Sequence, residues 1–132
     1  MFERLIYRSL ALSPDPAVAM DDILKVSVAK NARLDLTGAL GFTDRHYIQL
    51  LEGPVASLDR LMATLMTDPR HKEISILYRA KTAGRVLPGW SMARLDLSRH
   101  APRAARLVAE GDGLALTTLL VNVVARGETA VA

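Results

Sequence analysis

The sequence predicts an α+β fold, a mixed and mostly antiparallel sheet with two helices on one face and further helices at the C-terminal end. Three observations carry this reading. Runs of strand formers alternate with segments of helical apolar spacing. Turn residues divide them in the order β-α-β-β-α-β-β. Beyond residue 98 the composition changes to Ala-rich helix formers. At 132 residues the chain suffices for one domain with a real core plus an appendage, here placed at residues 1–97 and 98–132.

The elements follow in order. Residues 4–12 (Arg-Leu-Ile-Tyr-Arg-Ser-Leu-Ala-Leu) form a first strand, with Leu5, Tyr7 and Ser9 alternating onto one face. Ser13-Pro14-Asp15-Pro16 breaks it. From Ala17, Val18, the Asp22-Ile23 pair, Val26 and Ala29 fall at roughly helical spacing and predict a helix with Asn31 in its last turn or just beyond. Residues 36–42 and 47–52 flank the turn Thr43-Asp44-Arg45 and read as a hairpin. Gly53-Pro54 opens a second helix, on which Leu58, Leu61, Met62, Leu65 and Met66 make an apolar stripe. Asp68-Pro69-Arg70-His71 stops it, residues 74–78 form a fourth strand, and residues 90–97 a fifth. That order is the ferredoxin-like one. Residues 101–110 and 114–125 then predict two helices about Gly111-Asp112-Gly113, the second so apolar that the other sheet face or another subunit must cover it.

Composition excludes several chemistries. The absence of cysteine rules out disulfides, thiolate metal sites and a cysteine nucleophile, and fits a reducing compartment. No apolar signal segment opens the chain and no run approaches the ~18 apolar residues of a membrane span, so a cytoplasmic protein without a membrane segment is expected. The net charge of +3 is scattered among acids, without an arginine-rich run, which argues against a nucleic-acid partner. Phosphate loops and metal-binding spacings are missing, and His46, His71 and His100 sit in separate turns. Ser9, Ser27 and Ser91 lack His and Asp partners in any motif, so hydrolysis has little support.

What remains is a neutral polar set: Tyr7 on the first strand, Asn31 at the end of the first helix, Gln49 inside an apolar strand, and Trp90, Ser91 and Met92 at the start of the last. Burying an amide without partners costs about 1–3 kcal/mol. Gln49 therefore either pairs internally or faces a ligand. A phenol and two amides suit a flat, neutral ring rich in heteroatoms better than acid-base turnover. The plainer reading stands beside this one, with Tyr7 tethering a strand, Asn31 capping its helix and Gln49 paired in the core.

Five separated motifs then carry a resemblance. Leu-Ile-Tyr-Arg-Ser (5–9), Lys-Asn-Ala-Arg-Leu-Asp-Leu-Thr-Gly-Ala-Leu (30–40), Tyr-Ile-Gln-Leu-Leu-Glu-Gly-Pro (47–54), Asp-Pro-Arg-His (68–71) and Trp-Ser-Met (90–92) resemble, in unbroken order, the BLUF family of flavin-binding blue-light sensors. The resemblance implies an FAD whose isoalloxazine ring lies between the two helices over the sheet. It implies Tyr7 as electron and proton donor to the excited flavin and Gln49 as partner of both. Asn31 binds the carbonyl and N3 edge, and Trp90 and Met92 lie on the strand that reports the change, with either Trp90 packed near Gln49 or Trp90 turned outward and Met92 in its place. Lys30, Asp68, Arg70 and His71 complete the cofactor-binding set it implies. Lys30 stands where the family often has Asn, residues 85–88 depart from its usual pattern, and Gly41 replaces a bulkier residue, changes that bear on the outer pocket and on recovery.

The expected function is thus a blue-light photoreceptor with no substrate turnover, signalling to a separate downstream protein or through a change of oligomer. The apolar segment 114–125 supports a homo-oligomer. A small flavin-dependent oxidoreductase of the same fold is the alternative, and a flavin-free structural or nucleic-acid-binding domain the third reading.

Overall fold

A computed structural model describes residues 2–12, 15–43, 45–67 and 71–128. Its elements are β1 (Phe2–Ala11), α1 (Pro16–Leu34), β2 (Thr37–Thr43), β3 (His46–Pro54), α2 (Val55–Leu65), β4 (His71–Thr82), β5 (Ala93–Arg94), α3 (Ala101–Glu110) and α4 (Gly113–Ala125). The strands form one sheet in the order β4-β1-β3-β2-β5. β1 lies antiparallel between β3 and β4, β2 and β3 form the expected hairpin, and β5 joins β2 in parallel. The ferredoxin-like α+β order expected above is the one observed.

Alternation along the central strands sends side chains to two separate cores. Leu5, Tyr7, Leu40, Tyr47 and Leu51 face α1 and α2 and pack with Met20, Ile23, Leu58 and Leu61. Ile6, Ala39, Ile48 and Leu50 face the other way and are covered by Leu107, Val108, Leu116, Leu120 and Val123 of α3 and α4. The apolar surface of α4 is therefore satisfied within the chain. Self-association no longer follows from the apolarity of that helix.

Local chemistry sets the boundaries. Asp15 caps α1 by accepting the Val18 N–H at 3.4 Å, and Pro16 stands in its first turn. Asp35 ends α1 in the left-handed region at φ 58°, where the Asn31 carbonyl accepts the following N–H groups. Gly111, at φ 69°, closes α3, and the Asp112 side chain starts α4 by accepting the Ala115 N–H at 3.1 Å.

Several expectations are corrected. The buried stripe of α1 is Ala19, Met20, Ile23 and Leu24, while Val18 and Val26 are exposed, because the face with the larger apolar side chains turns inward. Met66 is exposed, since α2 ends at Leu65. β4 runs well past 74–78 at both ends because the long β1 supplies it with ladder partners as far as Ala11 and Phe2. The fifth strand shrinks from 90–97 to two residues. The backbone before it is bound elsewhere: Val86 and Leu87 donate to the Glu52 carboxylate, and the Trp90 carbonyl accepts the Gly38 N–H. Gly41 faces Leu95 and Leu97 on the α3/α4 side; a Cβ there would stand 2.7 Å from Leu97 Cδ1, so it has no part in the outer pocket.

Leu116 is fully buried and Leu114 is 59% exposed on the same helix. Leu116→Ala should cost about 2–5 kcal/mol in urea unfolding and Leu114→Ala no more than about 0.5 kcal/mol. Equal losses would contradict this orientation of α4.

Candidate functional site

The site forms on the α1/α2 face, where the register of β1 against β3 sets Tyr7 directly opposite Gln49. Both side chains are buried. The Tyr7 hydroxyl donates to Gln49 Oε1, and Gln49 Nε2 donates to Met92 Sδ at 3.7 Å. Gln49 thus bridges a phenol on β1 and a thioether on the segment before β5. An amide carries two N–H donors and an acceptor oxygen with two lone pairs, so capacity remains on both of its ends.

Asn31 is fully buried in the last turn of α1. Its Nδ2 donates to the Ser91 carbonyl at 2.8 Å, next to Met92. Its Oδ1 has no hydrogen-bond partner among the described residues. A solvent-excluded acceptor without a donor is costly in a finished core, and it matches a donor that the protein does not itself provide. Asn31 is not a side-chain cap. The cap is made by its backbone carbonyl, with Asp35 as the C-cap residue.

Trp90 and Met92 separate. Met92 is buried against Gln49, whereas Trp90 is 41% exposed. Neither lies in a strand, since β5 starts at Ala93. Lys30 lines a cleft of about 380 Å³ between α1 and α2, together with Arg33, Leu34, Arg60, Leu61 and Thr64. Three cations from two helices gather there, and among the described residues none of them is paired with a carboxylate. Asp68 and Arg70 lie outside the described residues, and of His71 only the backbone, at the start of β4, is described.

The sequence reading did not include Arg33 and Arg60 beside Lys30 in this cleft. Arg33 could have been found, because it lies one helical turn from Lys30 on the same face. Arg60 carries no sequence signal, as only the packing of α2 beside α1 brings it there. Chemically, the α1/α2 face offers neutral polar groups buried at the sheet and, in the cleft between the two helices, three cations. That pairing matches a ligand with a flat polar head and an anionic tail. The buried Asn31 Oδ1 fits an imide N–H of an isoalloxazine ring, and Lys30, Arg33 and Arg60 fit the diphosphate of FAD.

Comparisons with known proteins agree with this chemistry. Residues 2–93 match the family model "BLUF: Sensors of blue-light using FAD". The blue light- and temperature-regulated antirepressor BluF of Escherichia coli (strain K12) is 31% identical over 100 residues, 76% of this chain and 25% of that protein. The photoactivated adenylate cyclase subunit alpha of Euglena gracilis is 30% identical over 91 residues, 67% of this chain and 9% of its own length. The chain thus spans a quarter or less of these relatives. The structure of BlrB, a BLUF protein in its dark state, is 31% identical with a TM-score of 0.82 and 96% coverage of both chains. The matched domain is a sensory module and not a catalytic one, which leaves the oxidoreductase alternative without support. Among the described residues no helix is long and apolar enough to cross a membrane.

Removing the Tyr7 hydroxyl leaves the buried Gln49 Oε1 without that donor. Tyr7→Phe should therefore lower stability by about 1–3 kcal/mol in urea unfolding without added flavin. An unchanged midpoint would show that the bond contributes nothing.

Proposed function

The chain belongs to the BLUF family of blue-light sensors that use FAD, and from that premise we propose that Tyr7, Gln49 and Met92 form its light-sensitive hydrogen-bond relay and that Asn31, Lys30, Arg33 and Arg60 hold the cofactor. The observation that carries the proposal is the continuous buried chain from the Tyr7 hydroxyl through the Gln49 amide to the Met92 sulfur.

Bound FAD supplies absorption of blue light and, once excited, a transient acceptor for an electron from Tyr7. Tyr7, whose hydroxyl already donates to Gln49 Oε1, would be the residue that serves bound flavin as donor, and Gln49 would be the group that orients that hydroxyl. Gln49 acts as the switch. Oxygen and nitrogen of its amide are nearly isosteric, so turning the group end for end costs little sterically and reverses which end donates. In the reversed arrangement Nε2 faces the Tyr7 oxygen and Oε1 faces Met92. The sulfur is a weak acceptor and no donor, so it loses its hydrogen bond, and the segment before β5 feels the change. That segment also carries Ser91, whose carbonyl Asn31 holds, and Trp90.

The cationic cleft supports the tail of the cofactor. Guanidinium and ammonium groups give charge-assisted bonds to phosphate oxygens. The change at residues 90–92 passes to a signalling effector. Two relatives are named for an output, an antirepressor and a photoactivated adenylate cyclase, which supports an effector as the recipient.

The test is the visible spectrum of the FAD-loaded protein before and after blue light. A flavin band that moves to the red and returns in darkness is expected, and a band that bleaches without recovery would refute the reading. Gln49→Leu and Tyr7→Phe should each keep FAD bound and abolish the shift. Asn31→Ala should weaken FAD binding about tenfold, the size of one buried hydrogen bond. Titration of the apoprotein by flavin fluorescence checks the last.

A further inference from the structure

The segment that delivers Met92 to Gln49 is anchored upstream by a residue so far without a role. Glu52 is fully buried on β3, three residues beyond Gln49 and on the opposite face of the sheet, with Ile48 and Leu50. Its carboxylate accepts Arg4 Nε at 3.0 Å, the Val86 N–H at 2.9 and 3.0 Å on its two oxygens, and the Leu87 N–H at 3.0 Å. Carboxylates rarely occur at such depth unless paired and hydrogen-bonded throughout. Here the pairing ties a loop to the central sheet.

Arg85 fastens the same segment from outside. Its Nη1 donates to Thr37 Oγ1 at 2.9 Å and to the Glu52 carbonyl at 3.0 Å, while Nη2 donates to the Asp35 carbonyl at 2.8 Å and to Asp35 Oδ1 at 2.9 Å. Its guanidinium also stacks 4.5 Å from the centre of the Phe2 ring. Beyond this double anchor the chain makes one turn over Pro88-Gly89, closed by the Trp90 N–H on the Leu87 carbonyl at 3.3 Å, and arrives at Met92. Where the sulfur stops thus depends on where Val86 and Leu87 are held, together with the nearer bonds of the Trp90 carbonyl to the Gly38 N–H and of the Ser91 carbonyl to Asn31 Nδ2.

We propose that Glu52, assisted by Arg85, is a positioning residue of the light response: it fixes the register of residues 85–87 so that movement is confined to 88–92 and Met92 returns to Gln49 Nε2. This rests on the photoreceptor reading above. The Met92 contact belongs to the arrangement with Gln49 Oε1 toward Tyr7, the resting one under that reading. A loosened anchor lets the sulfur drift, weakens the interaction that favours the resting arrangement, and slows the return to it.

The experiment measures dark recovery of the FAD-loaded protein after a blue flash, for Glu52→Gln and Arg85→Met, each alone and combined with Met92→Ala. Both single variants should keep FAD and the red shift and recover about fivefold more slowly, on the order of one weakened hydrogen bond. In the Met92→Ala background neither should slow recovery further, because the effect acts through that sulfur. Arg85→Met leaves Glu52 paired with Arg4 and both amides and so reads the outer fastening alone; where Glu52→Gln does not hold FAD, Glu52→Asp, which keeps the charge but falls a methylene short of the Val86 and Leu87 amides, replaces it with the same expected slowing. Recovery within about twofold of the unmodified protein, or the same slowing with and without Met92, overturns the positioning role. An unmodified protein with no reversible shift overturns the photoreceptor reading itself, and this inference with it.

Discussion

Pairing of β1 with β3 places Tyr7 opposite Gln49 and Arg4 opposite Glu52, so one register builds both polar features of the sheet on its two faces. Apolar residues alone would specify that register poorly, because Leu5 and Ile6 on one strand and Leu50 and Leu51 on the other are all buried. In most half-buried strands a slip of one residue exposes the apolar face. Here both faces are covered, and the polar pairs discriminate. A slip would carry the Glu52 carboxylate to the α1/α2 side, away from Arg4 and the Val86 and Leu87 amides, leaving an uncompensated charge in the core. Tyr7 and Gln49 would lose each other in the same step.

The residues of the proposed relay are neutral, and the charges near them are held apart. Arg4, Glu52 and Arg85 are engaged with one another and with backbone groups on the far side of the sheet or at its end. Lys30, Arg33 and Arg60 stand at the cleft between the helices. A group that turns over between two hydrogen-bonding arrangements needs those arrangements close in energy, and a nearby fixed charge would favour one strongly. Separating the charge from Gln49 keeps the two ends of its amide comparable.

Residues 85–92 connect the two faces. Their first half is bound by Glu52 and Arg85, and their second half touches Gln49, Asn31 and Gly38. β5 follows at once and runs beneath the second core, where Leu95 and Leu97 pack with α3 and α4. Arg8, next to Tyr7, also reaches that side and donates to the Val108 carbonyl near the end of α3, a favourable place for a cation at a helix C-terminus. The C-terminal helices thus reach β1 through Arg8 and pack on the residues that follow β5.

Local periodicity and the cost of burial made much of this legible in the sequence. The order of elements, the hairpin, the helix stripe at Leu58, Leu61, Met62 and Leu65, and the inward placement of Tyr7 and Gln49 follow from repeats of two and 3.6 residues, which are properties of neighbouring residues. The motifs around Tyr7, Asn31 and Gln49 were sufficient to suggest the family. Tertiary structure alone decided that Met92 turns inward and Trp90 outward, that Gly41 belongs to the other face, that Arg60 joins Lys30 and Arg33, and that a glutamate inside an apolar strand secures a loop more than thirty residues away. Such contacts depend on how separate elements pack and where backbone donors are left without ladder partners, and no spacing within one segment records them.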